Sequence, residues 1–528
     1  MSYRVVIPTA GTGSRLNGLT KYINKSLVGI ANRPAISHLI EQFPDDCEFV
    51  IALGHKGNLV RDFLELAYPE RIFFFAQVDP YDGDGSGLGL SLLRCEQYLQ
   101  QPFIFLSCDT LVQGKIPKPD HNWMGYAQVN DLFQYRTLQL QDDKVTEICE
   151  KGVIKNNIHP YIGLAGIYNY QDFWRAMLDG KYTAIEKGEA YGIRHIIRGG
   201  NVSAYQFKWF DTGNPKALEI TRKAYAQPNE PNILEKENEA IWFIGDTVVK
   251  YSDDKIFIAN RVNRVSELKG FVPDIYAYRS NMYCYKIVEA EVLSNIVTLP
   301  IFDNLMNHCK SFWVAKILDA KQNERFKQNC LIFYKDKTLE RVQLFYNNFE
   351  QSDDAVFING EKMPALNELL DAIDWNWLCD GLAGRFHGDF HFENILWSQE
   401  GQKFTFLDWR QDFAGDLSVG DIYYDFAKLM HGLIVNHGII TNDQYSAFWK
   451  DGEIKYDLHR KQSLVECEHK FNNWIVSSGY DLKKVRILTA LIYLNIAALH
   501  HYPYSLLLYG LGKKMLYKES SKEIRWNL

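Results

Sequence analysis

Over the first hundred residues, short apolar runs alternate with segments of helical spacing. Residues 4–9 form a β-branched apolar run that ends at glycines, which predicts a buried strand. Helical spacing follows at 34–43 and 58–67, with strands predicted at 48–54 and 71–77. A helix at 88–99 and a strand at 103–107 continue the alternation. This order predicts a mostly parallel sheet with helices on both faces. Ligands of such sheets bind beyond the carboxyl ends of the strands. The turn at Gly11, Gln77 and Asp109 fall at such ends.

The pattern changes at 226–232, where two prolines stand among polar residues and predict a linker. Beyond it, residues 240–251 and 255–258 alternate like antiparallel strands, and 283–288 adds another. From about residue 366 onward the pattern is mainly helical. A small β-rich lobe before a larger helical one is a kinase-like layout. The expected domains are therefore 1–228 and 232–528, the second with its small lobe at about 232–300.

Composition narrows the picture. The chain has 528 residues, 46% hydrophobic and 23% charged, with a net charge of -7, so it is globular and carries no basic nucleic-acid footprint. Anionic ligands must then be held by local cations and metal ions. Nine cysteines without a CxxC pair argue against a disulfide framework and against structural zinc. The apolar stretch 487–499 is too short to span a bilayer and reads as a buried helix. The N-terminal residues run directly into a polar glycine loop, without the apolar core of a signal peptide. A cytoplasmic location is expected, and homo-oligomerisation is left open.

Two segments carry phosphate chemistry. The first is Gly11-Thr12-Gly13-Ser14-Arg15-Leu16, with Lys25 ten residues after the arginine. A glycine turn brings backbone N–H groups close to a phosphate chain, and Arg15 adds a forked cation. Alone, such a turn is as often structural. The longer segment GTGSRLNGLTKYINKSL resembles the signature of sugar-phosphate and alcohol-phosphate nucleotidyltransferases. The resemblance implies triphosphate binding by Arg15 and charge neutralisation by Lys25 at the reacting α-phosphate. It also implies Mg²⁺ ligation by Asp109 and by Asp211 of the segment Trp209-Phe-Asp211-Thr-Gly213. Gln77 and the turn Gly85-Ser86-Gly87 stand where the family reads the base, and Glu150-Lys151 where it meets the acceptor. For Asp109 a helix cap, and for Lys151 a solvated surface lysine, are the structural alternatives. Gly18 and Asn24 stand where many members have prolines, which predicts a more flexible loop.

The second segment is His387-Gly388-Asp389-Phe-His391-Phe-Glu393-Asn394, followed by Leu407-Asp408-Trp409. It resembles the aminoglycoside phosphotransferase and choline kinase family. That resemblance implies Asp389 as the base toward a substrate hydroxyl, with Asn394 and Asp408 as Mg²⁺ ligands. It gives Asp416 and Asp421 loop-bracing roles. His387 and His391 lie four apart but lack an HExxH pattern, so His387 is expected to hydrogen-bond within its loop. Lys250, ending an alternating strand, is the candidate for the ATP phosphates, with Glu267 as its partner. A surface strand-end lysine is the alternative. The stretch 285–289, through Glu289, resembles the adenine hinge.

Together the resemblances imply a Rossmann-like N-terminal domain and a C-terminal two-lobed protein-kinase-like α+β domain. The expected activity is bifunctional. A small alcohol or sugar is phosphorylated with ATP, and the phosphomonoester then receives a nucleotidyl group from a second NTP, releasing pyrophosphate. Fusion of these folds resembles bacterial choline activation, which favours CTP and precursors for surface polysaccharide or lipid decoration. Alternatives are a sugar kinase joined to a transferase using UTP, GTP or dTTP, and one catalytic domain fused to a regulatory or scaffold module.

Overall fold

The computed structural model describes residues 3–129, 132–227, 236–354 and 356–524. Most of the proline-bearing stretch at 226–232 lies outside them. The chain divides into two compact units: 1–258 with 276–287, and 259–275 with 288–528.

The first unit is built on a nine-stranded sheet. Its strands are β1 (Arg4–Pro8), β2 (Glu48–Leu53), β3 (Phe73–Gln77), β4 (Phe103–Leu106), β5 (Trp123–Tyr126), β6 (Thr137–Gln141), β7 (Lys144–Cys149), β8 (Ile158–Ile167) and β9 (Ser203–Gln206). They lie in the order β3-β2-β1-β4-β8-β5-β9-β7-β6. The first four are mutually parallel, as the strand–helix alternation requires. From β8 onward the pairing is mixed, because β6 and β7 are joined as a hairpin and β8 returns antiparallel to β4. Val5, Val6 and Ile7 of β1 are fully buried, as expected of a strand covered on both faces. Helices α1 (Ala35–Ile40), α2 (Gly57–Ala67), α3 (Leu88–Cys95), α4 (Tyr170–Lys187) and α5 (Glu189–Arg198) belong to this unit.

The strands read as a small β-rich lobe fall largely in this same unit. They are β10 (Glu239–Ile244), β11 (Thr247–Ser252), β12 (Ile275–Arg279) and β13 (Met282–Lys286), ordered β10-β11-β13-β12. Trp242, Val249, Tyr251, Met282 and Cys284 share one hydrophobic core with Val5, Ile7 and Phe63. The Trp242 ring meets Phe63 of α2 edge-on at 5.2 Å. Residues 255–258, read as strand, instead begin helix α6 (Lys255–Arg264). Asp254 Oδ1 accepts from the backbone N–H of Ile256 at 2.8 Å and of Phe257 at 3.1 Å. This N-cap outweighs a four-residue alternation.

The second unit is mainly helical, and its helices start earlier than residue 366. They include α7 (Leu299–Phe312), α8 (Lys337–Phe349), α9 (Ile422–Ile434), α10 (Gln462–Ser477), α11 (Leu482–Ala497) and α12 (Tyr504–Ile524). Helix α11 is almost wholly buried, in line with the apolar run at 487–499. Hairpins interrupt the helices, among them β14 (Ile395–Ser398) with β15 (Lys403–Phe406), and β16 (Tyr445–Lys450) with β17 (Glu453–Leu458). The first of them carries the chain from Asn394 to Asp408. No described helix is long and apolar enough to cross a membrane.

Candidate functional site

In the first unit the glycine loop leaves β1 and closes onto Lys25. Gly13 has φ +68°, and a Cβ there would lie 2.9 Å from the Lys25 Cβ, so this position requires glycine. A Cβ on Gly11 would meet nothing within 4 Å, so space lies open beside that backbone. Thr12 is half-buried, and Ser14 is exposed. Asn24 is fully buried and does not loosen the loop. Its amide donates to Thr9 O at 2.9 Å and His55 O at 2.7 Å, and its Oδ1 accepts from Ser26 N at 2.9 Å.

Four predicted residues converge here. Asp109 Oδ2 lies 3.4 Å from Lys25 Nζ and 3.9 Å from Arg15 Nη2. Its Oδ1 accepts from Ser107 Oγ at 2.6 Å. Asp211 Oδ1 accepts from Gly213 N at 2.7 Å, and its Oδ2 from the Tyr135 hydroxyl at 3.2 Å. A Cβ on Gly213 would sit 3.0 Å from Asp211 Oδ1, 3.3 Å from Asp109 Oδ2 and 3.4 Å from Arg15 Nη2. Both carboxylates and the guanidinium therefore border one small space. Burial pushes the Asp109 carboxyl up, but Lys25, Ser107 and Arg15 together hold it below the usual range. Burial and the neighbouring Asp109 raise Asp211. Burial opposes the charge on Lys25, yet Asp109 holds that ammonium above its usual range. Such a pair of carboxylates, one stabilised and one repelled, is a hard-oxygen donor set suited to a divalent cation. Trp209 packs edge-on against Tyr135 at 5.1 Å, and the Tyr135 hydroxyl reaches Asp211.

Gln77 is exposed at the end of β3. Ser86 is tied into its turn, its hydroxyl donating to Gly83 O at 2.6 Å, and Gly85 has φ +80°. Glu150 is engaged by Arg136 at 3.2 Å and Arg194 at 2.8 Å, while Lys151 is exposed. Lys250 is buried on β11 and belongs to the first unit. Glu289 is exposed in the second unit. Glu267 bonds Lys316 at 2.8 Å.

In the second unit the His387 loop folds back on itself. Asn394 Nδ2 donates to Asp389 O at 2.9 Å and to Asp389 Oδ2 at 3.1 Å. Leu407 N donates to Asn394 O at 2.7 Å, which seats Asp408 beside the loop. Asp408 is held at φ +56°, and its Oδ1 accepts from Arg261 Nη1 at 3.1 Å. His387 hydrogen-bonds within the site, as its position suggested. Its Nε2 donates to Leu407 O at 2.8 Å, and its Nδ1 accepts from Asp389 N at 3.2 Å. Burial pushes His387 down to about 3, so the ring is neutral.

Lys428 and Asp425, and the charge carried by His391, escaped the sequence reading. Lys428 on α9 is buried, with Nζ 2.8 Å from Asp389 Oδ1. His391 lies 3.5 Å from Asp389 Oδ2 and 3.0 Å from Glu393 Oε2. Burial opposes its charge, but these two carboxylates raise it to about 9. Burial pushes Asp389 up, and Lys428 and His391 outweigh it and hold the carboxylate well below its usual range. The bracing expected of Asp416 and Asp421 falls on Asp425. Its carboxylate accepts from His387 N and Gly388 N, both at 2.7 Å, and from the Trp313 indole at 3.1 Å. Asp421 instead accepts from Leu382 N, Tyr423 N and the Tyr334 hydroxyl. Asp416 pairs with Arg325.

Residues 337–459 match the model of the phosphotransferase enzyme family. The second unit carries a phosphotransferase-family domain. The N-terminal region matches sugar-phosphate nucleotidyltransferases. The bifunctional protein GlmU of Methanococcus vannielii is 23% identical over 257 residues, covering 46% of this chain and 60% of that protein. The low-salt glycan biosynthesis nucleotidyltransferase Agl11 of Haloferax volcanii is 24% identical over 243 residues, covering 40% of this chain and 63% of that protein. The chain thus spans a little over half the length of these curated relatives. Among solved structures, the CTP:phosphocholine cytidylyltransferase of Streptococcus pneumoniae aligns at 16% identity and a TM-score of 0.35, covering 42% of this chain and 99% of that one.

Proposed function

We propose that the protein is a bifunctional enzyme, with a kinase at 232–528 that phosphorylates a small alcohol or sugar and a nucleotidyltransferase at 1–228 that activates the product. The observation that carries this is that each unit gathers its own set of phosphate-handling side chains. Arg15, Lys25, Asp109 and Asp211 border one space in the first, and Asp389, Asn394 and Asp408 share one loop system in the second.

In the kinase, Asp389 takes the proton of the acceptor hydroxyl as its oxygen bonds to the γ-phosphorus of ATP. His387 and Asp425 fix the loop that presents this carboxylate. In the transferase, Arg15 and the Gly11–Ser14 backbone hold the triphosphate, and Lys25 offsets charge at the α-phosphate. The phosphomonoester oxygen attacks there and pyrophosphate leaves. Lys250 and Glu289 are assigned to ATP, Gln77, Gly85 and Ser86 to the base, and Glu150 and Lys151 to the acceptor side. Asp109 with Asp211, and Asn394 with Asp408, would hold Mg²⁺. Among the described residues no donor bonds the Asn394 side-chain carbonyl, which leaves it able to serve as a ligand. The metal supplies charge neutralisation on the phosphates. CTP heads the nucleotides to test, and precursors of surface glycans or lipids are the proposed end use.

The order of steps provides the test. A bare hydroxyl is a poor nucleophile toward an α-phosphate, whereas a phosphate dianion needs no base. Unphosphorylated acceptor with NTP alone should release no pyrophosphate until ATP is added. Release without ATP, at the rate of the full mixture, overturns the reading.

A further inference from the structure

The surroundings of Asp389 carry more positive charge than the catalytic reading uses. Helix α8 begins at Lys337, and Arg341 follows one turn later on the same face. Lys337 Nζ and Arg410 Cζ each lie 4.6 Å from the centre of the Phe333 ring, so both cations are stationed on one buried aromatic. Arg410 packs against the catalytic loop. Its N–H donates to His387 O at 2.8 Å, and a Cβ on Gly388 would lie 2.5 Å from the Arg410 Cβ. Lys428 reaches the same place from α9, at 2.8 Å from Asp389.

Only Lys428 has a carboxylate partner. Among the described residues, Lys337, Arg341 and Arg410 take part in no ion pair, and the buried Nε atoms of Arg341 and Arg410 have no hydrogen-bond partner. Burial and the nearby charges of Arg410, Lys428 and Arg341 push the Lys337 ammonium down to about 7, with Asp389 opposing them. Half-buried cations massed without counter-ions are costly unless a ligand supplies the negative charge.

We propose that the kinase acceptor is an anionic alcohol, a hydroxyl compound that already carries a carboxylate or phosphate, and that Lys337, Arg341 and Arg410 bind that oxyanion while Asp389 engages the hydroxyl. This rests on the kinase reading given above. In the step itself the hydroxyl oxygen bonds to the γ-phosphorus, the bridging bond to ADP breaks, and the hydroxyl proton passes to Asp389. The ATP triphosphate is the rival occupant. On the kinase reading its charge would be met by the Mg²⁺ that Asn394 and Asp408 are placed to hold. Helix α8 carries no nucleotide ligand in that reading. A quaternary ammonium acceptor such as choline would be repelled by four cations, so this site revises the choline expectation.

The experiment uses the full chain saturated with Mg²⁺ and β,γ-methylene-ATP, so that the γ-phosphate position is filled. Inorganic phosphate, D-glycerate, glycerol and choline are titrated calorimetrically, and ADP formation from ATP is measured with glycerate, glycerol phosphate, glycerol and choline. Phosphate or glycerate should bind, and the stronger of the two identifies the oxyanion. Binding should weaken at least tenfold in Arg341→Gln and in Lys337→Gln, with the KM for ATP unchanged. Asp389→Asn should retain anion binding and lose ADP formation. No binding of either anion, preference for glycerol or choline in turnover, or a shift of the ATP KM in the glutamine variants would overturn the proposal. Anion binding without ADP formation from any of the four alcohols would instead count against the kinase reading. Lys337→Arg keeps the charge and should restore binding, which separates a ligand role from a packing role.

Discussion

The two sites are both centred on an aspartate paired with a lysine, half-buried Lys25 in one and buried Lys428 in the other, yet their charge balance differs. Around Asp109 the cations Arg15 and Lys25 meet the carboxylates Asp109 and Asp211, two against two. Around Asp389, Lys337, Arg341, Arg410, Lys428 and His391 outnumber Asp389, Glu393 and Asp408, and Asp408 is already paired with Arg261. A balanced site gains attraction for a polyanion chiefly when a metal ion arrives. A site with excess positive charge already selects an anion before any metal binds. The bracing differs too. The Asp109 carboxylate accepts from the Ser107 hydroxyl and from Lys25, whereas the Asp389 loop hangs from the buried Asp425 carboxylate by two backbone N–H groups.

The largest break in this comparison comes from removing the base. Asp389→Asn should lower ADP formation by about 10²–10⁴-fold, the range of a general base. The same variant should still turn a supplied phosphomonoester into its nucleotidyl product. Loss of both activities in a folded protein would mean one composite site rather than two.

On the balanced side, Asp109→Asn and Asp211→Asn each remove half of the carboxylate pair. Each should cut pyrophosphate release by about 3 kcal/mol of transition-state stabilisation, roughly a hundredfold. Kinase turnover should stay within twofold. Near-normal transferase rates in Mg²⁺ would exclude the pair as ligands.

How legible these sites were depends on how local they are. Asp389 and Asn394 sit five residues apart in one loop, so their spacing already fixes their geometry. The parallel strands β1 to β4 were readable because each is a continuous apolar run bounded by glycine or polar turns. Lys428, Lys337 and Arg341 were not readable. Periodicity marks which face of α8 or α9 is apolar, but not which loop a lysine on that helix will meet. Tyr135 and Ser107 touch the transferase carboxylates only because β6, β4 and the short strand Lys208–Asp211 end near one another. Residues 255–258 alternate over only four positions, and the cap that Asp254 places on Ile256 and Phe257 starts a helix there instead.

The difference in bracing should appear as stability. Asp425→Ala orphans two buried backbone N–H groups and the Trp313 indole, and should cost about 3 kcal/mol at the low end of orphaned-donor penalties. Ser107→Ala removes a single hydroxyl donor and should cost about 1 kcal/mol. Calorimetric scans of the full chain would show a clear loss in the transition of the second unit for the first variant and a small shift for the other. Equal losses would remove the contrast.

The smallest effect isolates Lys337. Its ammonium titrates near 7 because burial and the neighbouring Arg410, Lys428 and Arg341 disfavour the charge. Asp421 and Asp425 titrate near 6 and His391 near 9, so between pH 6.5 and 8.5 Lys337 is the changing group around Asp389. Asp389 lies well below that window and stays ionised. As pH rises the lysine loses its proton, and affinity for an anionic acceptor should fall, by up to about tenfold for one site charge. Stability moves the other way. The unfolded lysine keeps its proton to about 10.4, so the unfolded state binds more protons above pH 7 and stability rises with pH. A KM for glycerate that climbs while the melting temperature does not fall would therefore locate the effect in binding. Lys337→Arg should flatten that KM profile, and an unchanged slope in the arginine variant would take Lys337 out of the acceptor site.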